Sequence, residues 1–453
     1  CFFVGIVSAI HDRLCCIVSH HLWRMFVKNV GQLVINGTVA PGFEPIRSLY
    51  ERNMRNLLER NTQLCVYFEG EKVVDLWGSA IGDDSFSADS LANAFSSGKS
   101  LESIAIASLV SQGLLSYLDK VVGHWPEFGG QGKGDTTIAD LLRHEGGMAS
   151  FDEAIDPNDL LATNLKNNGV GRFIENHDQK FRPSGKRREY HAITRGWILN
   201  EVFRRVDPQN RTIGEYLRHE LSVPLAADVV IGLEESELER RSPVSVPRPS
   251  RWFIESLKPK FLKRKIERNL LQMLALGFGF IRSARDSSRP TRQAFAVEEG
   301  MIDAFNSREV AMGETPSANA HASARGLARL AAMMADKGSF AGKEFISTPA
   351  WEALHAEATE ADMGFISTRF TQGGVASFSK VSNPSSPLDS GLNNGREGFF
   401  GWMGLGGSLF QWHPEFRIGF GYVPTSLNVL DIVNERGKSY QAEMLKCVDK
   451  LKR

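Results

Sequence analysis

The sequence predicts a mixed α/β fold of the α+β kind: one antiparallel sheet flanked by helices, built from both chain ends, with an inserted helical lobe. A β-hairpin pattern occupies residues 63–78, near the start. Four further strand patterns follow Asp362. The long stretch between them, 155–300, has mostly helical spacing without alternating strands. Strands at both ends with helices between them therefore indicate a shared sheet.

The elements follow in chain order. Residues 43–58 have helical spacing, and the two β-rich runs of the hairpin then surround a Glu-Gly-Glu-Lys turn. A buried helix opens at Ser96, because apolar side chains recur there at helical spacing and no Pro or Gly interrupts them before Gly113. The other predicted helices are 136–144, 320–337 and 428–450, and the other predicted strands are 364–372, 399–403, 408–412 and 417–423.

This order predicts the domain organisation. Residues 1–40 form an N-terminal appendage and residues 41–445 one domain. The predicted parts of that domain are a sheet lobe at about 41–150 and 305–450, a helical lobe at about 151–304 and, within it, an insertion at about 245–292. A cleft between two lobes is a common place for a ligand site.

Composition excludes several classes of function. Lys and Arg number 53, as do Asp and Glu, so the global charge gives no indication of a nucleic-acid partner. Five dispersed cysteines form no disulfide framework or metal pattern and favour a reducing compartment, cytoplasmic or organellar. No apolar run reaches the ~18 residues of a membrane span, which indicates a soluble protein. The apolar residues 1–10, without an initiating Met, are interpreted either as the remnant of a signal or anchor segment or as a short amphipathic helix.

The insertion combines basic and apolar residues. Its basic cluster consists of Lys258, Lys260, Lys263, Arg264, Lys265 and Arg268. An apolar run at 270–281 follows, so that 258–281 could make peripheral contact with an anionic membrane surface. The alternatives are a lid over an acyl pocket and a surface helix packed on the helical lobe.

Ser96 and Lys99 carry the strongest chemical signal. A serine hydroxyl needs a nearby base, and a lysine three residues on lies one helical turn away on the same face. Desolvation makes an ammonium lose its proton readily, so Lys99 can be that base. A second match, Ser377 with Lys380, lies in a Ser/Pro/Gly-rich stretch and has no such helix.

Three motifs in order resemble the serine β-lactamase and penicillin-binding superfamily, most closely class C-like enzymes and the related family VIII-type carboxylesterases. The first is Ser-Ser-Gly-Lys at 96–99. The second, at 188–197, is similar to the Tyr-x-Asn region and contains Tyr190. The third, at 401–408, stands in the place of the Lys-Thr-Gly strand. The resemblance covers about residues 40–445 and implies a β-lactamase/transpeptidase-like fold.

The resemblance also implies catalytic roles. Ser96 would be the acylated nucleophile, and Lys99 with Tyr190 would take its proton and later protonate the leaving group. Tyr190 would need nearby cations, such as Lys99, to act as a phenolate. The oxyanion hole would consist of the backbone N–H groups of Ser96 and Leu405.

The third motif and the second depart from the β-lactamase pattern at substrate-binding positions. Ala192 stands where many β-lactamases have an amide-binding Asn, and Trp402 with Met403 replaces the pair that grips a substrate carboxylate. An indole is a single neutral donor, so a neutral acyl ester fits better than a β-lactam. Gly404 keeps room for close backbone approach.

The main functional hypothesis is a serine hydrolase that forms an acyl-enzyme at Ser96 on a small acyl ester, or less readily an amide. The alternatives are a non-catalytic structural or membrane-associated member of the fold, and a β-lactamase or peptidase. No metal or cofactor is predicted, because the sequence lacks zinc-type Cys/His spacing, H-E-x-x-H, Walker A and G-x-S-x-G motifs. The oligomeric state is left open.

Overall fold

The computed structural model describes residues 32–181, 187–259, 262, 264–266, 269–274, 294–300, 302–364, 366–380 and 387–453. Most of the predicted appendage, three residues of the basic cluster (Lys260, Lys263 and Arg268) and the end of the apolar run at 275–281 lie outside the described residues.

The strands are Val34–Val39 (β1), Asn61–Phe68 (β2), Glu71–Ser79 (β3), Ala92–Asn93 (β4), Arg187–Arg188 (β5), Val229–Val230 (β6), His321–Ala322 (β7), Ser339–Phe340 (β8), Lys343–Glu344 (β9), Thr359–Met363 (β10), Ile366–Phe370 (β11), Phe400–Met403 (β12), Leu409–His413 (β13) and Ile418–Pro424 (β14). The helices are Glu44–Asn56 (α1), Lys99–Ser111 (α2), Ile138–Leu142 (α3), Ala162–Leu165 (α4), Gly169–Glu175 (α5), Thr194–Val206 (α6), Ile213–Tyr216 (α7), Pro249–Leu257 (α8), Arg308–Met312 (α9), Ala324–Ala335 (α10), Thr348–His355 (α11), Pro387–Asn393 (α12) and Glu435–Leu451 (α13).

One sheet joins the two ends of the chain. Its strand order, within the described residues, is β1-β3-β2-β14-β13-β12, and every neighbouring pair is antiparallel. β2 pairs with β14, so that Leu64 lies opposite Tyr422. The predicted antiparallel sheet from both chain ends is therefore confirmed.

Both faces of this sheet are covered by helices. Side chains of a strand alternate between its faces, so neighbouring residues in one strand contact helices on opposite sides. In β2, Leu64 and Val66 belong to the apolar cluster that includes α1 and α13, whereas Cys65 belongs to the cluster that includes α10. Gly421 in β14 lets α10 lie close, since a Cβ there would be 2.4 Å from the Ala324 carbonyl oxygen. The helices thus fix the sheet that carries β12.

The structure corrects several predicted boundaries. β1 belongs to the sheet, although the sequence assigned these residues to the appendage. The last helix begins at Glu435 rather than 428, because the Asn434 side chain caps it by accepting from the Gly437 N–H. The strand predicted at 364–372 is Ile366–Phe370 and lies in a separate small sheet with β10 and β5. In the described ranges, no helix is both long and apolar enough to cross a bilayer.

Candidate active site

Ser96 lies in a tight turn that leads into α2. The turn is a short 3-10 helix, Phe95–Gly98, and α2 begins directly after it. Phe95 has φ +45°, a left-handed conformation that bulky residues rarely adopt. Asn93 holds it there, because its Oδ1 accepts a hydrogen bond of 2.7 Å from the Phe95 N–H. This hydrogen bond therefore holds the strained turn that contains Ser96, directly before α2.

The structure brings the three predicted catalytic side chains together. The Tyr190 hydroxyl donates to Ser96 Oγ at 2.8 Å, and Lys99 Nζ lies 3.3 Å from the same oxygen. Lys99 Nζ also donates to the carbonyl oxygens of Ala192 at 2.6 Å and Ser317 at 3.1 Å. Ala192 thus contributes its backbone to the site through Lys99. These bonds fix the amine beside the serine.

The Lys99 ammonium is more acidic than that of an ordinary lysine. Desolvation by burial lowers the pKa of Lys99 to about 7, against the raising effect of Glu102, and Arg195 adds to the lowering. Near neutral pH a large fraction of Lys99 is therefore an uncharged amine. Such an amine can accept a proton from a hydrogen-bonded hydroxyl.

Tyr190 differs from Lys99 in its preferred form. Burial raises the pKa of Tyr190, and its hydrogen bonds to Ser96 and Trp402 only partly offset this. Burial therefore favours the neutral phenol, whereas the phenolate predicted from the sequence depended on a nearby cation such as the Lys99 ammonium. Trp402 lies beside it: the indole Nε1–H donates to Tyr190 Oη at 3.2 Å.

A buried ion pair lies next to Lys99. Arg195 Nε donates to Glu102 Oε2 at 2.7 Å, and both side chains are fully buried. Arg195 Nη2 also donates to the Lys99 carbonyl oxygen at 2.8 Å, which ties α6 to the first turn of α2. No role is predicted for this pair from the sequence. A glutamate inside the buried pattern of α2 was the signal for it, since a buried charge needs a partner.

Two histidines hold the segment that carries Tyr190. The His191 N–H donates to His144 Nδ1 at 3.1 Å, and His191 Nε2 accepts from the Met148 N–H at 3.1 Å. Burial lowers the pKa of His191 to about 4 and that of His144 well below its ordinary value. Both rings are therefore neutral at physiological pH and act as structural groups.

The loop after β12 lies next to the Ser96 turn. Gly404 permits this approach, because a Cβ there would be 2.3 Å from the Ala94 carbonyl oxygen. Ser408 Oγ donates to that same carbonyl at 2.6 Å. Within the described residues, neither the Ser96 N–H nor the Leu405 N–H donates to a protein acceptor.

Arg436 holds this loop from the start of α13. Its guanidinium donates to the Gly406 carbonyl oxygen, to the Ser426 carbonyl oxygen at 3.1 Å and to Glu59 Oε2 at 2.7 Å. The Arg436 and Glu59 side chains are buried. Neither residue is predictable from the sequence, since a pair separated by 377 positions leaves no local pattern.

The family follows from comparison of the whole chain. A model of the beta-lactamase family matches residues 50–437. The chain belongs to the beta-lactamase family. The esterase/beta-lactamase LipL of Mycobacterium tuberculosis is 27% identical over 369 residues, which cover 80% of this chain and 76% of that protein.

Solved structures are similar along nearly the whole chain. A penicillin-binding-protein homologue from Caulobacter crescentus has a TM-score of 0.68 at 25% identity, and the match covers 91% of this chain and all of that one. A family VIII carboxylesterase, at 24% identity with a TM-score of 0.69 and the same coverage, shares the fold. These likenesses confirm the predicted fold class.

The predicted substrate-binding residues do not all reach the serine. Met403 Sδ lies 3.8 Å from Arg396 Nη1, and its side chain is buried in the cluster with α1 and α13. Trp402 instead forms one wall of a cleft of about 110 Å³. Ser377, from the second serine–lysine match, also lines this cleft and lies in an extended segment beside β12.

No group of three or more His, Cys, Asp or Glu residues that could hold a metal ion occurs in the part of the chain that the structure describes. Among the described residues, Ser96 Oγ forms hydrogen bonds with the Tyr190 hydroxyl and the Lys99 amine.

Proposed function

We propose that this protein is a serine hydrolase that forms an acyl-enzyme at Ser96 and acts on neutral carboxylic esters. The observation that carries the proposal is the position of Ser96 Oγ, 2.8 Å from the Tyr190 hydroxyl and 3.3 Å from Lys99 Nζ. Because the pKa of Lys99 is about 7, the base that a serine nucleophile requires is available near neutral pH.

In the acylation step, the uncharged Lys99 amine takes the Ser96 hydroxyl proton while Oγ attacks the ester carbonyl carbon. As the C–O bond of the tetrahedral intermediate breaks, the Lys99 ammonium protonates the departing alkoxide, directly or through the Tyr190 hydroxyl. Water then attacks the acyl carbon while the Lys99 amine takes one of its protons, and that proton passes to Ser96 Oγ as the bond between Oγ and the acyl carbon breaks. This releases the carboxylic acid and restores Ser96.

The oxyanion of that intermediate would accept hydrogen bonds from the backbone N–H groups of Ser96 and Leu405. Both groups lack an acceptor among the described residues, so they are available to a substrate oxygen. A single donor of this kind typically contributes roughly a hundredfold to a thousandfold in rate.

Two features support a neutral ester over a β-lactam or a peptide. The Trp402 indole N–H is the only polar group of that side chain, and it already donates to Tyr190. The edge of β12 is also partly covered, because the Gly401 N–H donates to the Ala376 carbonyl oxygen at 3.0 Å. A peptide that bound by adding a strand would have to displace this segment. The Mycobacterium tuberculosis relative is named both an esterase and a beta-lactamase, so its name supports ester hydrolysis but does not choose between the two substrate classes.

Intact-protein mass spectrometry tests the proposal. Wild type and Ser96→Ala are incubated separately with a fluorophosphonate, a short-chain p-nitrophenyl ester and a penicillin. We expect an adduct with the fluorophosphonate and turnover of the ester, both lost in Ser96→Ala. Labelling that persists in the variant contradicts the assignment of Ser96.

The same experiment separates the alternatives. A stable penicillin adduct would indicate that other residues bind the substrate carboxylate, as in a β-lactamase or peptidase. A folded wild type that reacts with none of the three probes would favour a non-catalytic member of the family.

A further inference from the structure

Helix α8 has one buried and one exposed face. Trp252 and Glu255 face the protein and are buried. Phe253, Ile254 and Leu257 lie on the other side and are more than half exposed. Burying an aromatic and two branched aliphatic side chains would be favourable, so this exposure needs a physical reason.

The exposed apolar side chains extend beyond the helix. Leu262, Leu271 and Leu274 are between 50% and 76% exposed. Six of the eleven large hydrophobic residues that are exposed in the described part of the chain therefore fall within 253–274. Exposed apolar residues are normally scattered singly, so this concentration indicates a binding surface.

The same segment is strongly basic. Residues 248–268 contain eight Lys or Arg and two Glu, although basic and acidic residues are equal in number over the whole chain. Arg248 and Arg251 are exposed at the start of α8. Glu255 does not offset them at the surface, because its buried carboxylate pairs with Lys258 at 2.6 Å.

The base of this segment is attached to the folded protein. Trp252 and Ile266 are buried together with Leu58, and the Leu58 N–H donates to the Lys265 carbonyl oxygen at 3.2 Å. Upstream, the Ser245 N–H donates to the Thr425 carbonyl oxygen at 2.9 Å. The exposed side chains therefore belong to a segment that is anchored to the folded protein.

We propose that the α8 surface, made of Arg248, Arg251, Phe253, Ile254 and Leu257, docks on an anionic lipid bilayer. Apolar side chains enter the boundary between head groups and acyl chains, while the arginines pair with anionic head groups. The positive charge of this segment favours an anionic bilayer over a second copy of the chain as the binding partner. A symmetric contact would bring two strongly basic segments together, and like charges repel.

Vesicle flotation of the full chain tests the docking. The vesicles are phosphatidylcholine with phosphatidylserine, compared with phosphatidylcholine alone. We expect the protein to float with the anionic vesicles and not with the neutral ones. Added salt should weaken the binding, because it screens the attraction to head groups.

Two paired variants separate the apolar and basic contributions. Phe253→Gln with Leu257→Gln should reduce the partition coefficient at least about tenfold. Arg248→Gln with Arg251→Gln should reduce it roughly thirtyfold at low salt.

Matched controls change exposed residues elsewhere. Leu118→Gln with Val223→Gln controls the apolar pair, since both are at least 70% exposed. Arg52→Gln with Arg55→Gln, exposed on α1, controls the basic pair. These controls should float like wild type, as should Ser96→Ala, so that failure of the docking and failure of the hydrolase proposal remain distinguishable.

Three results would overturn the docking surface. One is a folded wild type that does not float with anionic vesicles. Another is a loss of binding in the control pairs as large as in the α8 pairs. A third is a dimer in size-exclusion chromatography that the Phe253→Gln/Leu257→Gln variant converts to a monomer, which would make the surface a contact between copies.

Discussion

Lys99 is the group whose protonation sets the pH dependence of the proposed reaction. Its ammonium loses solvation through burial, and the nearby Arg195 guanidinium adds a positive charge. Glu102 acts in the opposite direction, so Lys99 retains a pKa of about 7 rather than a lower value. The buried ion pair thus has two functions: it joins α2 to α6 and it adjusts the charge beside Lys99.

We expect kcat/KM for a p-nitrophenyl ester to rise with pH and level off above a midpoint near 7. Below the midpoint Lys99 is an ammonium and cannot accept the Ser96 proton; above it the amine is free. The measurement is kcat/KM from roughly pH 5 to 9, corrected for spontaneous ester hydrolysis.

Lys99→Arg is the matched variant, because its guanidinium remains protonated throughout this range. It should be almost inactive at every pH. A wild-type profile that falls as pH rises through 7, or a midpoint near 10, would contradict the assignment of Lys99 as the base.

The loop that follows β12 depends on an element far away in the sequence. Arg436, from the first turn of α13, binds the carbonyl oxygens of Gly406 and Ser426 while it pairs with Glu59. Gly407 gives it room, since a Cβ there would be 2.7 Å from Arg436 Nη2. The orientation of the Leu405 N–H therefore depends on α13.

Arg436→Lys should keep a positive charge near Glu59 but lose the bridging hydrogen bonds to the loop. We expect kcat to fall at least about tenfold with little change in KM, because a displaced N–H stabilises the transition state less than before. The pH midpoint should stay near 7. Steady-state kinetics on a p-nitrophenyl ester measures all three quantities.

Arg396→Lys serves as the control. Arg396 is also a buried arginine near α13, but it donates to the carbonyl oxygens of Val433 and Asn434 rather than to the loop. An equal fall in kcat in this variant, or an Arg436→Lys effect confined to KM, would argue against a role in positioning the loop.

Elements with a clear period were predictable, and those set by distant partners were not. The hairpin at 63–78 has alternating side chains around a turn, and the structure has β2 and β3 there. The start of α13 was predicted too early, because Asn434 caps the helix where residues 428–434 also contain apolar positions. β1 was missed because its pairing with β3 is a tertiary contact.

The candidate site divides in the same way. Ser96 and Lys99 are one helical turn apart, so the sequence alone suggested their contact. Tyr190 is 94 positions from Ser96 and entered only through the resemblance to a family. Arg195 with Glu102 and Arg436 with Glu59 were missed, since ion pairs between separate elements become visible only when the fold brings them together.

The core as a whole contains several histidines that burial keeps neutral. Burial lowers the pKa values of His191, His321 and His355 to about 4, and that of His144 well below its ordinary value. In the unfolded chain the same groups titrate near pH 6.5. Between these values the unfolded state binds more protons than the native state, so stability falls as pH falls.

Glu314 opposes this trend without cancelling it. Burial raises the pKa of its carboxyl to about 7, so that the native state binds the extra proton between pH 7 and the ordinary value of 4.5. Glu314, together with Glu145, whose pKa burial also raises, stabilises the native state as pH falls, whereas the four histidines destabilise it. Each linked group changes the free energy of unfolding by at most about 1.4 kcal/mol per pH unit.

The free energy of unfolding should therefore decrease by several kcal/mol between pH 7 and about pH 5, as measured by urea denaturation at each pH. His321→Asn should reduce this pH slope by about one proton, because it removes one buried group that the unfolded state protonates. If stability were constant or increased on acidification, these histidines could not be the groups that bind protons on unfolding. The core would then have to accommodate imidazolium charge, which its burial disfavours.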